Sequence, residues 1–249
     1  MEHTIHESFI LPSQGKIYDV QFNPEIKLRS MTTNEEMKRL SRSDKMYENM
    51  AEIIDDCLLT KLPISAYDLC FGDYQFLLHK LRTVTYGNEY KVSVTCPYCY
   101  HTQDIIIDLD ALEVKGFTEE INKYRYLELP VTKKQIALKF QSPRALDIIA
   151  IKNKEQQKKT KSTVDYSILY ALMSAIDTID GEKLDPIQQE EFVLSLPMKD
   201  VNLITKHIEK MNTFIGVNTD IDITCESCGL AYTTSFRITP EFYGPSIDI

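Results

Sequence analysis

The chain has 249 residues, of which 37 are acidic and 28 are Lys or Arg, for a net charge of −9 and a pI near 5.1. That balance argues against a nucleic-acid groove as the main function, because phosphate backbones are held by basic surface. No run approaches the ~20 consecutive apolar residues of a membrane span, and Met1-Glu-His-Thr-Ile-His-Glu7 lacks the basic start and apolar core of a signal peptide, so a cytosolic protein is expected.

Residues 1–30 read as an extended arm, with Pro12 and Gly15 marking a turn within Phe9–Tyr18. A helical segment is expected over 31–85. Thr32 and Thr33 stand three residues before Glu35 and Glu36, a doubled capping-box signature. An apolar stripe then runs through Met37, Leu40, Met50, Ile53, Ile54, Cys57 and Leu58, and Ser41–Lys45 interrupts it, which allows two shorter helices. Pro63 ends that stripe. Asp73 is the expected cap of the next helix, which carries Phe76, Leu77 and Leu81 and closes at Gly87. Cys57 and Cys70 sit inside these apolar patterns and read as buried thiols.

From Glu89 or Tyr90 the pattern changes to a strand. Val92-Ser-Val-Thr-Cys96 alternates β-branched and polar residues, Cys96-Pro-Tyr-Cys99 interrupts it, and Ile105, Ile106 and Ile107 resume it. Tyr126 to Phe140 reads as a β-hairpin, with Leu127 and Leu129 on one arm and Ile136, Leu138 and Phe140 on the other. Residues 142–216 form a helical insertion. Ser142-Pro143 and Asp185-Pro186 each place a cap before Pro at the first helical position. Three further expectations are a solvated helix end or loop over Lys152–Lys161, an apolar helix from Val164 to Ile179, and a last helix from Met198 to Ile215 that stops at Gly216.

A second unit then repeats the first. Ile221-Asp-Ile-Thr-Cys225 leads into Cys225-Glu-Ser-Cys228, and Tyr232, Thr234 and Phe236 return. The last eleven residues, 239–249, are a Pro/Gly tail whose aromatics Phe242 and Tyr243 suggest either disorder or a docking segment. Phe9, Ile10 and Tyr18 in the N-terminal arm either dock a partner or cover the chain's own core.

A strand, a CxxC turn and a returning strand make one zinc knuckle, and two knuckles supply four thiolates to a tetrahedral metal. The expected fold is therefore α+β: a split zinc ribbon over 86–141 and 217–238, with Cys96, Cys99, Cys225 and Cys228 as ligands of one structural ion. A redox CxxC opens a helix, whose N-terminus lowers the thiol pKa, and neither pair here does so. Zinc is favoured over iron because nothing suggests electron transfer. His101 is near enough in sequence to replace a thiolate but reads better as a solvent-facing strand residue. No GxSxG, Walker A, HExxH or dinucleotide fingerprint occurs, and four protein ligands leave a metal no open position, so no enzyme is expected.

The order of features is also recognisable: LPSQGKIYD (11–19), NPEIKLRSMTTNEE (23–36), DYQFLLHKLRTVTYGNEY (73–90), CPYC (96–99) and DIDITCESCG (220–229). It resembles the baseplate family of T-even-type tailed phages, which contains hub assembly proteins. The resemblance implies a non-enzymatic assembly factor, made in the host cytoplasm, that binds baseplate hub proteins. A permanent place in the virion's baseplate hub is the alternative. A zinc-ribbon regulator of transcription is a third reading, disfavoured by the acidic balance.

Overall fold

Much of the expected arm is folded. In this computed structural model, which describes residues 5–236 and 242, β1 (His6–Ile10) pairs antiparallel with β2 (Glu25–Arg29), Ile10 lying opposite Glu25. Alternation along β2 turns Ile26 and Leu28 fully inward, and Leu11 is fully buried beside them. Phe9 meets Phe76 edge-on at 6.2 Å, so most of the arm's apolar side chains cover the chain's own core.

Helix α1 (Thr33–Arg39) begins at a capping box built by Thr32 and Glu35. The Glu35 carboxylate accepts from the Thr32 backbone N–H at 2.7 Å and from both Nη atoms of Arg29, at 3.1 and 3.2 Å. Ser41–Lys45 does break the stripe, and α2 (Met46–Cys57) then buries Met50, Ile53, Ile54 and Cys57. Helix α3 (Phe71–Tyr86) differs at its start: its N-cap is Cys70, not Asp73. Asp73 is fully buried in the first turn. Its carboxylate accepts from the backbone N–H and hydroxyl of Ser13 and, at 2.7 Å, from the Tyr18 hydroxyl, fastening the N-terminal segment to α3. Gly87, at φ 88, ends the helix as expected.

The first CxxC hairpin is β3 (Glu89–Thr95) and β4 (Thr102–Asp108). The chain leaves it through β5 (Val114–Lys115), then forms α4 (Asn122–Arg125), β6 (Tyr126–Glu128) and β7 (Gln135–Leu138). Helix α5 (Pro143–Thr160) is capped by Ser142 and carries the lysine tract as its solvated end. The expected helix 164–179 is shorter. α6 covers Ser167–Ala175, and the β-branched Ile176-Asp-Thr-Ile179 becomes β8, which pairs with β7 to complete a three-stranded antiparallel sheet. Helices α7 (Pro186–Ser195) and α8 (Met198–Phe214) follow, α7 from an Asp185–Gln188 capping box. Leu129, Leu138 and Ile204 are fully buried in the core these elements share, which draws on both the hairpin and the helices. The chain then returns through β9 (Gly216–Val217) to the second CxxC hairpin, β10 (Asp220–Thr224) and β11 (Ala231–Ser235). Strand pairing is antiparallel throughout the described residues, and the fold is α+β.

The expected exposure of the tail is corrected at Phe242. This side chain is fully buried, with its ring 4.9 Å from Tyr90 and 6.3 Å from Phe236. The other tail residues, Tyr243 included, lie outside the described residues.

Candidate metal centre

The two hairpins end in matching turns. In the first, the Cys96 N–H donates to His101 O at 2.9 Å and the Tyr100 N–H to Cys96 O at 3.0 Å. In the second, the Cys225 N–H donates to Leu230 O at 3.0 Å and the Gly229 N–H to Cys225 O at 2.9 Å. The residue after the second cysteine is left-handed in both, Tyr100 at φ 60 and Gly229 at φ 70. One local fold has been built twice.

A two-residue ladder brings these turns together across more than a hundred intervening residues. Strand β5 leaves the first hairpin and β9 enters the second, and they pair with Val114 opposite Val217 and Lys115 opposite Gly216. The chain of 116–215 therefore departs and returns at one point. Gly216 also lies against Gly72 in α3: a Cβ on Gly216 would stand 3.0 Å from the Gly72 Cα. That close approach seats the start of the second hairpin on the first core.

The result is a cluster of four thiols. The Sγ atoms of Cys96, Cys99, Cys225 and Cys228 all lie within 4.8 Å of one another, with Cys96–Cys228 at 3.8 Å and Cys99–Cys225 at 3.6 Å. These are not disulfides, whose sulfurs stand about 2.05 Å apart. Cys96 and Cys225 are buried with Val94, Ile223 and Tyr232, while Cys99 and Cys228 face outward. Backbone N–H groups of Cys228 and Ser227 pull the Cys225 thiol below its ordinary range, to about 6. The Leu230 N–H also favours the Cys228 thiolate, but loss of water on the sulfur's inner side and the sulfurs of Cys225, Cys99 and Cys96 win and push it up to about 12. A cluster this tight resists carrying several negative charges, and a cation among the sulfurs would offset them. The arrangement is compatible with a metal ion.

The structure thus assembles all four cysteines singled out from sequence. His101 keeps its side chain in solvent, and Cys57 and Cys70 are buried elsewhere. Burial pushes the Cys57 thiol up to about 12 and raises Cys70 as well, so both are inert. One residue escaped the sequence reading. Gln103 is buried on β4 and clasps the other knuckle, its Nε2 donating to Thr224 O at 3.2 Å and its Oε1 accepting from the Glu226 N–H at 2.9 Å. A signal did exist: in Thr102-Gln-Asp-Ile-Ile-Ile-Asp108, Gln103 shares the phase of Ile105 and Ile107, a polar residue on an inward face.

Compared with known proteins, residues 3–244 match the family model described as T4 bacteriophage base plate protein. No curated protein matches the chain, and no solved structure does.

Proposed function

The chain belongs to the T4 bacteriophage base plate protein family, and from that premise we propose that it is a non-enzymatic assembly factor for the baseplate hub whose split zinc ribbon is closed by one structural zinc ion. The four-thiol cluster supports the zinc part of this reading and the family match the baseplate part. Zinc–sulfur bonds of about 2.3 Å in a tetrahedron put sulfurs about 3.8 Å apart, and two of the pairs here stand 3.6 and 3.8 Å apart. Cys96, Cys99, Cys225 and Cys228 would fill all four positions, so the ion has no place for substrate or water and acts by holding the two hairpins together. Iron would accept the same thiolates, but its usual service is electron transfer, which no other feature supports.

The partners are baseplate hub proteins, met in the host cytoplasm where the hub forms. Regulation of transcription is a poorer fit. The metal-bearing stretches 92–114 and 211–236 contain no Lys or Arg, whereas nucleic-acid contact needs basic surface. Fractionating infected-cell lysates tests the reading. An assembly factor sediments with hub intermediates and is missing from purified particles. A fixed copy number in finished particles would instead make the chain a permanent baseplate component, and sedimentation with neither would end the hub assignment.

A further inference from the structure

We propose that the knuckle tips form a docking face, with Tyr98, Tyr100 and Leu230 as anchors, for an apolar pocket rimmed by Lys or Arg on another protein. The inference rests on the assembly reading above and adds the site and the chemistry of its partner.

Three large side chains stand within two residues of the clustered cysteines and remain in solvent: Tyr100 is 80% exposed, Tyr98 59% and Leu230 50%. Tyr100 stands out for a second reason. Its backbone is left-handed, which an L side chain disfavours, while its counterpart in the other knuckle is Gly229. A Cβ at Gly229 would meet nothing within 4 Å, so that glycine answers to backbone conformation and not to crowding. The first knuckle meets the same conformational demand with a tyrosine. With four-fifths of its surface open, Tyr100 recovers little of that disadvantage by burial within its own chain. An unfavourable conformation kept around an exposed aromatic points to use by a partner.

Charge selects the partner. Stretches 92–114 and 211–236 hold seven acidic residues and no Lys or Arg. Lys91 pairs with Asp104 and Lys80 with Asp110. Among the described residues the other five form no ion pair: Asp108, Glu113 and Asp220 lie towards the hairpin ends opposite the tips, whereas Asp222 lies near the tip of β10 and Glu226 within the second CxxC turn. Aromatic anchors beside the unpaired carboxylates of Glu226 and Asp222 fit an apolar pocket with a basic rim, where Arg or Lys can also lie against a tyrosine ring. Nucleic acid would be repelled, as would the same face of a second copy.

Replacing Tyr100 separates docking from folding. Tyr100→Gly suits the left-handed backbone, so Tm should hold or rise by up to about 3 °C with zinc content unchanged. Co-sedimentation with hub intermediates in infected cells should fall about tenfold or more, and Tyr100→Phe should restore most of it. A full chain with Tyr100→p-benzoylphenylalanine, irradiated in those cells, should crosslink to a peptide of another protein that carries Lys or Arg beside apolar residues. The proposal is overturned if Tyr100→Gly sediments like the parent, or if the adduct lies on nucleic acid, on this chain alone or on a peptide without basic residues. If Tyr100→Gly still joins hub intermediates, the docking face fails and the assembly reading survives. An adduct on a basic pocket of a host protein, with no hub association by the parent, does the reverse.

Discussion

Helix α3 and the chain entering the second knuckle touch through bare backbone, and Gly72→Ala tests what that contact is worth. A Cβ at position 72 would lie 2.1 Å from Ile215 O and 2.8 Å from the carbonyl carbon, where ordinary contact begins at 3.4 Å. The obstruction is backbone, so no rotamer relieves it, and β9 would have to withdraw from α3 by more than 1 Å. Gly216 on the opposing side is held at φ +119 and its Cβ position is also crowded by Gly72. Overpacking of this kind costs about 1–3 kcal/mol, and the helix-propensity gain of Ala over Gly, at most about 1 kcal/mol, is smaller in a first turn than in a helix interior. With that gain subtracted, about 0.5–3 kcal/mol of loss remains, and at about 2–4 °C per kcal/mol for a chain of this size calorimetry should show Tm falling by about 1–12 °C. Since β9 leads straight to β10, zinc should also be lost faster to a chelator. Gly116→Ala is the control, because its Cβ would meet nothing nearer than 3.7 Å. If Gly72→Ala melts within about 1 °C of the parent and holds zinc equally well, the seating role assigned to this contact is wrong.

Cys225→Ser leaves three thiolates, and elemental analysis should show zinc falling from one per chain to near zero, with a lower Tm that a chelator no longer changes. Gln103→Ala strands Thr224 O and the Glu226 N–H, a loss of about 1–3 kcal/mol; chelator competition should show faster zinc release with the hairpins still folded. His79 is fully buried, and burial lowers its pKa from 6.5 to about 4. Its contribution is complete above about pH 6.5 and declines as pH falls towards 4, because only the unfolded chain takes up the proton, to a total of about 3 kcal/mol. Urea titrations at pH 7 and pH 4.5 should show His79→Leu flattening that dependence, and an unchanged slope would remove His79 as its source.

What was legible in the sequence was local and written in chemistry with one structural meaning. Thr32 with Glu35, Ser142-Pro143 and Asp185-Pro186 start helices because side-chain oxygens and proline suit those positions and few others. The duplicated strand–CxxC–strand units revealed the cysteine cluster for the same reason. Long-range partners decided the rest. Ile176–Ile179 is apolar enough to extend a helix, and only the free edge of β7 makes it a strand. Asp73 has the composition of a cap, but Ser13 and Tyr18, about sixty residues earlier, claim its oxygens. Strands β5 and β9 are two residues each, too short for any periodicity to show. Phe242 looked like a tail aromatic because its pocket is assembled from Tyr90 and Phe236.

The ladder between β5 and β9 also sets an order of events during synthesis. Cys99 and Cys225 are 126 residues apart, so at 5–20 residues per second the second pair leaves the ribosome roughly 6–25 s after the first. Two thiolates hold zinc weakly, so through that interval a zinc site of the proposed kind would be incomplete and its first two thiols open to oxidation. Helix and hairpin formation takes microseconds, so the individual helices and hairpin of 116–215 have time to form, and Lys115 and Gly216 time to meet, before the second cysteines appear. Closing a long flexible loop is then replaced by joining two ends already held side by side. In the zinc reading proposed above, the four-cysteine cluster can therefore close only after Cys228 has emerged, and a zinc-loaded chain would be one whose 116–215 segment has already been made.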